Sequence, residues 1–142
     1  MTRRLLALGV LSLVVSACSS DTARQTKHTE NTIVWRPVGT WSGQGNMLTE
    51  SFVSDTGTLR IRWETRSPGD HGRGRFRLTL HSGVSGRLIA TVADGRRSEE
   101  SGESVVREDP RMYYAAVEST GLDWRFGIEE GVVWTLSEPR AK

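Results

Sequence analysis

Cysteine is almost absent from this chain. Cys18 stands alone among 142 residues, so no disulfide can close within one molecule. A domain built this way must be held by its core. Lysine is nearly missing as well, with only Lys27 and Lys142, so the basic side chains are arginines. No amphipathic helical periodicity runs through the sequence, and no catalytic or metal-ligand signature does either. Serines are plentiful, but none lies in a nucleophile elbow or beside a recognisable base. His71 beside Asp70, and His81, are isolated and lack zinc-ligand spacing. Glu99, Glu100, Glu103, Glu108 and Asp109 carry oxygens without the spacing of a calcium loop. These absences predict a protein that is not an enzyme and needs no metal or cofactor.

What is present begins at the N-terminus. Arg3 and Arg4 precede an apolar stretch, Leu5 to Val15, of eleven residues broken only by Gly9 and Ser12. As a helix it would be about 16 Å long, roughly half of a bilayer's hydrocarbon core, which suits a signal peptide better than a membrane span. Val15-Ser16-Ala17-Cys18 then resembles the lipobox of bacterial lipoproteins, in which an aliphatic residue and two small ones precede the modified cysteine. The resemblance covers only this leader. It implies cleavage before Cys18 and a diacylglyceryl thioether on its sulfur, which would explain an unpaired thiol in an exported chain. It also implies a cell-envelope location. In diderm bacteria, Asp directly after the cysteine retains a lipoprotein in the inner membrane. Here Ser19 follows, which points to the outer membrane, facing the periplasm or the cell surface.

Processing changes the charge balance. The full chain has 19 basic and 17 acidic residues, and loss of Arg3 and Arg4 leaves 17 of each. A neutral mature chain gives no footprint for nucleic acid. Residues 18–31 read as the lipidated cysteine and a flexible tether, because Ser19 to Asn31 contains nothing apolar larger than one alanine. As a coil, its ends would lie about 20 Å apart. Residues 32–138 are the size of one domain, and 139–142 read as a disordered tail.

Within the domain, apolar residues recur every second position. Leu59, Ile61 and Trp63 alternate with Arg60, Arg62 and Glu64. Phe76, Leu78 and Leu80 alternate in the next run, and Trp124, Phe126 and Ile128 in a third. This is the pattern of half-buried antiparallel strands. Weaker candidates span 47–53, 88–92, 105–107, 112–117 and 133–136, with turn-rich connectors between them. About eight strands predict a single all-β antiparallel sandwich. Its strand rhythm resembles the jelly-roll or CUB-like sandwiches of bacterial surface proteins, without the disulfides of eukaryotic CUB domains.

Two groups of residues are candidates for ligand binding. If the strands holding Trp63 and Phe76 pair, one register sets Ile61 against Leu78, and Arg60, Arg62, Arg75 and Arg77 form one outward patch flanked by Arg66 and Arg73. Such a patch would bind phosphate or carboxylate groups of envelope glycans or anionic lipids, since guanidinium forks hold these anions bidentately. Like charges directly opposite would cost about 0.2 to 1 kcal/mol, and pairing with nearby carboxylates would remove that cost. Trp35 and Trp41 are the aromatic candidates, because their phase around Pro37 and Gly39 cannot be read. Trp63 and Trp124 read as core, and Trp134 as the cap of an open core edge. The segment 96–104 reads as a mobile acidic loop. The sequence thus predicts a lipid-anchored, non-catalytic module with a binding or structural role and a glycan, anionic lipid or protein partner. An anion- or glycan-binding surface and a small envelope hydrolase are the alternatives.

Overall fold

Alternation becomes architecture when the inward residues of two sheets meet. In the computed structural model, which describes residues 30–69, 74–96 and 99–136, nine strands and no helix are present among the described residues. They are β1 Glu30–Gln44, β2 Met47–Leu48, β3 Phe52–Ser54, β4 Thr58–Arg66, β5 Arg75–Ser82, β6 Leu88–Gly95, β7 Glu100–Arg107, β8 Arg111–Thr120 and β9 Asp123–Leu136. One sheet runs β1-β9-β4-β7. The other runs β2-β8-β5-β6, with β3 pairing a different stretch of β8. Every pairing is antiparallel, so the chain is the all-β sandwich that its alternation predicts.

The core lies between the sheets. Leu59, Ile61, Trp124, Phe126 and Ile128 face it from the first, and Phe76, Leu78, Leu80, Tyr113, Ala115 and Val117 from the second. Trp124 is buried, and its Nε1 donates to the Gly45 carbonyl at 2.9 Å. Trp63 is half-buried and packs on Phe76, with ring centroids 5.7 Å apart. Gly57, at φ +70°, locks one end. A Cβ there would stand 1.8 Å from the Glu108 carbonyl oxygen, and the Glu108 N–H donates to Gly57 O.

Four expectations are corrected. First, β4 and β5 do not pair: β4 lies between β9 and β7, while β5 lies between β8 and β6. Ile61 and Leu78 both face the core but from opposite sheets, because a period of two fixes a side chain's face but not its sheet. Second, β1 extends the fold by fifteen residues that showed no readable alternation, and it takes in Glu30 and Asn31 from the expected tether. Its inward positions include Gly39, Trp41 and Gly43 beside Val38. A Cβ on Gly39 would stand 2.5 Å from the Trp41 ring, and one on Gly43 would stand 3.1 Å from the Trp124 ring. Glycine makes room for indole and thereby erases the pattern, and the register shift between Pro37 and Gly39 erases more of it.

Third, the expected acidic loop is largely β7, paired with β4 over eight residues. Its inward positions include Gly102, whose Cβ would press on Trp63, and Ser104, which donates to Val92 O at 3.2 Å. Small inward residues make this edge strand look like a loop. Fourth, Trp134 caps nothing and is 61% exposed. The pairing of β9 with β4 ends at Glu130, so beyond it β9 pairs only with β1.

Candidate functional site

The four candidate arginines occupy opposite sides of the sandwich. Arg60 and Arg62 project from β4 on the outside of the first sheet, and Arg75 and Arg77 from β5 on the outside of the second. The single patch expected from direct β4–β5 pairing therefore does not form. Each pair is met by carboxylates from its own sheet. Arg60 Nε donates to Glu129 at 2.8 Å and Arg62 Nε to Glu103 at 2.6 Å, with Glu129 3.4 Å from Arg62. Arg75 lies 3.9 Å from Asp94, and Arg77 lies 3.8 Å from Asp94 and 3.6 Å from Glu118. The hydrogen bond from Arg60 is the main reason the Glu129 carboxyl is held below its ordinary value, against the opposing effect of burial.

The aromatic candidates also separate. Trp41 points inward and stacks on Phe126 with centroids 5.1 Å apart, so it is core rather than a ligand platform. Trp35 stays on the outer face of the first sheet, where the Arg60 guanidinium carbon lies 4.3 Å from its ring centroid. This cation–π contact orders Arg60 at one end of the face.

A trough of about 650 Å³ runs along the same face. Its floor is Gly127 on β9, which pairs with Thr40 on β1 and Arg62 on β4. With no side chain at Gly127, the centre of the sheet is open. The walls are Thr40, Arg62, Glu64, Ser101, Glu103 and Arg125. A second depression of about 360 Å³ adjoins it, shares Glu64 and Arg125, and continues to Arg66 and Asp123 at the strand ends. Glu64 stands opposite Arg125 in the ladder, yet neither forms an ion pair among the described residues. The trough thus offers free donors and acceptors on a glycine floor, and its lining holds no histidine or cysteine. Sequence reasoning found Arg60, Arg62 and Trp35 but missed Thr40, Ser101, Glu103, Arg125 and Gly127. The missing signal was strand order, which brings β1, β9, β4 and β7 side by side.

Glu130 was also missed, although it breaks the apolar series Trp124, Phe126, Ile128 at an inward position. It is 1% exposed. Ser54 Oγ donates to Glu130 Oε1 at 2.7 Å and the Thr56 N–H at 2.8 Å, while Arg36 donates to Oε2. Burial acts to raise its pKa, but these hydrogen bonds together outweigh burial and lower it to about 2. Glu130 therefore ties β1, the β3–β4 turn and β9 together at one end of the core. Its role is structural.

Among the described residues, no group of three or more His, Cys, Asp or Glu is placed to hold a metal ion. His81 stacks on Tyr114, with Nδ1 3.1 Å from Gly86 O and Nε2 3.0 Å from Thr79 Oγ1. Cys18, the lipobox, the expected tether up to residue 29, Asp70, His71, Arg73 and the expected tail lie outside the described residues.

No protein-family model and no curated protein matches the chain. Among solved structures, it is similar to a chain titled "Structure of infectious bursal disease virus Gt strain", with 11% identity and a TM-score of 0.35 over 89% of this chain. The match spans 36% of that viral chain.

Proposed function

We propose that this protein is a lipid-anchored, non-catalytic module of the bacterial cell envelope that binds an acidic glycan along the outer face of its first sheet. The trough carries the binding reading: a bare glycine floor is flanked by Arg62 and by Arg125 and Glu64, which form no ion pair among the described residues. Sugar hydroxyls can bond the Thr40 and Ser101 hydroxyls and the carboxylates, and a uronate carboxylate matches the Arg125 fork. The anchor reading comes from Val15-Ser16-Ala17-Cys18. The non-catalytic reading is supported by the absence of histidine and cysteine from the trough lining, which leaves the Ser101 hydroxyl with only carboxylates as lining neighbours able to take its proton.

Titration of the mature protein with uronic-acid oligosaccharides and their neutral counterparts tests this reading. Preference for the acidic series is expected, with loss of affinity in Gly127→Val, whose side chain fills the floor, and in Arg125→Ala. Arg75→Ala, on the opposite face, is expected to bind like the parent. Equal binding by all four proteins, or turnover of the oligosaccharide, contradicts it.

A further inference from the structure

The ribbon formed by the far ends of β1 and β9 is not explained by core packing or by the trough. Residues 31–35 pair with 131–135, and none of these ten residues is charged. At about 3.4 Å per residue the uncharged span is roughly 17 Å long. Ile33↔Val133 and Trp35↔Gly131 share one face, and Thr32↔Trp134 and Val34↔Val132 share the other. Both faces are therefore apolar. Ile33 is 51% exposed, Val34 48%, and Val133 and Trp134 61% each. Soluble sheets usually protect such free edges with charge, and here Glu30 at the tip is followed by five residue pairs that carry none. At the base, the polarity returns abruptly with Arg36 and Glu130, which bond each other.

From this we infer that the β1–β9 ribbon docks into the interfacial layer of the bilayer that carries the lipid anchor, with Trp134 as its main contact. The inference rests on the anchor reading proposed above. Three observations support this occupant. The ribbon begins at Glu30, so only residues 19–29 separate it from Cys18. Twelve Cα–Cα steps reach at most about 40 Å, and they join the chain at the ribbon's own end, so the ribbon rather than the opposite end of the sandwich is the part held nearest the membrane. Secondly, the ribbon is apolar on both faces. Edge-to-edge pairing with a second copy would satisfy the backbone but leave both faces in water, whereas the interfacial layer covers both faces and still hydrates the free edges. Thirdly, an exposed indole with an N–H donor is the side chain that favours the headgroup level. Those free edges confine docking to that layer, since unpaired backbone groups cannot enter the hydrocarbon core.

Fluorescence quenching of the full lipidated protein tests the inference. The protein is reconstituted into vesicles of phosphatidylethanolamine and phosphatidylglycerol, with or without phosphatidylcholine brominated near the head of its acyl chains. Bromine is expected to remove part of the tryptophan emission. That loss should fall sharply in Trp134→Phe, leaving only the share of Trp35 on the ribbon's other face, persist in Trp41→Phe, and shrink in Ile33→Asp plus Val133→Asp, which keeps the Trp134 reporter. Circular dichroism of each variant checks that its strands remain. Equal quenching of the parent and Trp134→Phe overturns the inference. So does an unquenched, blue-shifted Trp134 emission, the signature of cover by a second copy. Mass spectrometry of the Cys18 peptide in the same sample separates the two readings: a lipidated Cys18 with unquenched Trp134 overturns the docking alone, while an unmodified Cys18 removes anchor and docking together.

Discussion

The two halves of β9 follow the same alternation in different surroundings. From Asp123 to Glu130 the strand lies between β1 and β4, and Trp124, Phe126, Ile128 and Glu130 are all buried. From Gly131 to Leu136 it pairs only with β1, and Val133 and Trp134 lie mostly in solvent. Local sequence makes both halves into strand. Burial requires an opposing sheet, which only the first half has. An apolar residue in a strand therefore reports core only where the other layer extends over it, and the transition falls at Glu130, where Ser54 and Thr56 close the end of the sandwich.

Substitutions can break this contrast. Trp124→Ala is expected to cost roughly 3 to 5 kcal/mol, enough to unfold a marginal domain, as measured by chemical denaturation. An unchanged midpoint would mean that the first half of β9 is not core. Glu130→Ala should cost less, about 2 to 4 kcal/mol, because it leaves Ser54, the Thr56 N–H and Arg36 without their acceptor. A cost below about 1 kcal/mol would show that the tie at the boundary is dispensable.

The same residue predicts an acid limb. Its carboxyl titrates near 4.5 when unfolded and at about 2 when folded. The depressed folded value means that its contribution, roughly 3 kcal/mol, is fully present above pH 4.5 and is lost as pH falls toward 2. Glu129, also held low, acts in the same direction. Denaturation across pH 2 to 5 should show a steeper fall for the parent than for Glu130→Gln, and parallel curves would refute the assignment. The smallest effect belongs to the far half: Trp134→Ser is expected to change stability by no more than about 0.5 kcal/mol. A large loss there would place the ribbon in the core after all.

How much of this was legible depended on which residues occupied the inward positions. Where these were large, as in Leu59-Ile61-Trp63, Phe76-Leu78-Leu80 and Trp124-Phe126-Ile128, strand and phase could be read directly. Where glycine or serine made room for an indole or bonded a neighbouring strand, as at Gly39, Gly43, Gly102 and Ser104, the strand was invisible. The site suffered differently. Arg60, Arg62 and Trp35 were identifiable as outward residues, but their neighbours belong to β1, β7 and β9, and one-dimensional periodicity carries no information on strand order. The arginine patch was lost for that reason, and the glycine-floored trough emerged from it. Glu130 was detectable in principle as a carboxylate in the apolar phase.

The proposed envelope location and the docking of the ribbon both rest on the proposed anchor. Its most direct test is the mass of the N-terminal peptide of the protein extracted from the membranes of a bacterium that produces it. A chain that begins at Cys18 and carries a diacylglyceryl thioether is the expected result. A chain that retains residues 1–17, or begins at Cys18 with a free thiol, would contradict it.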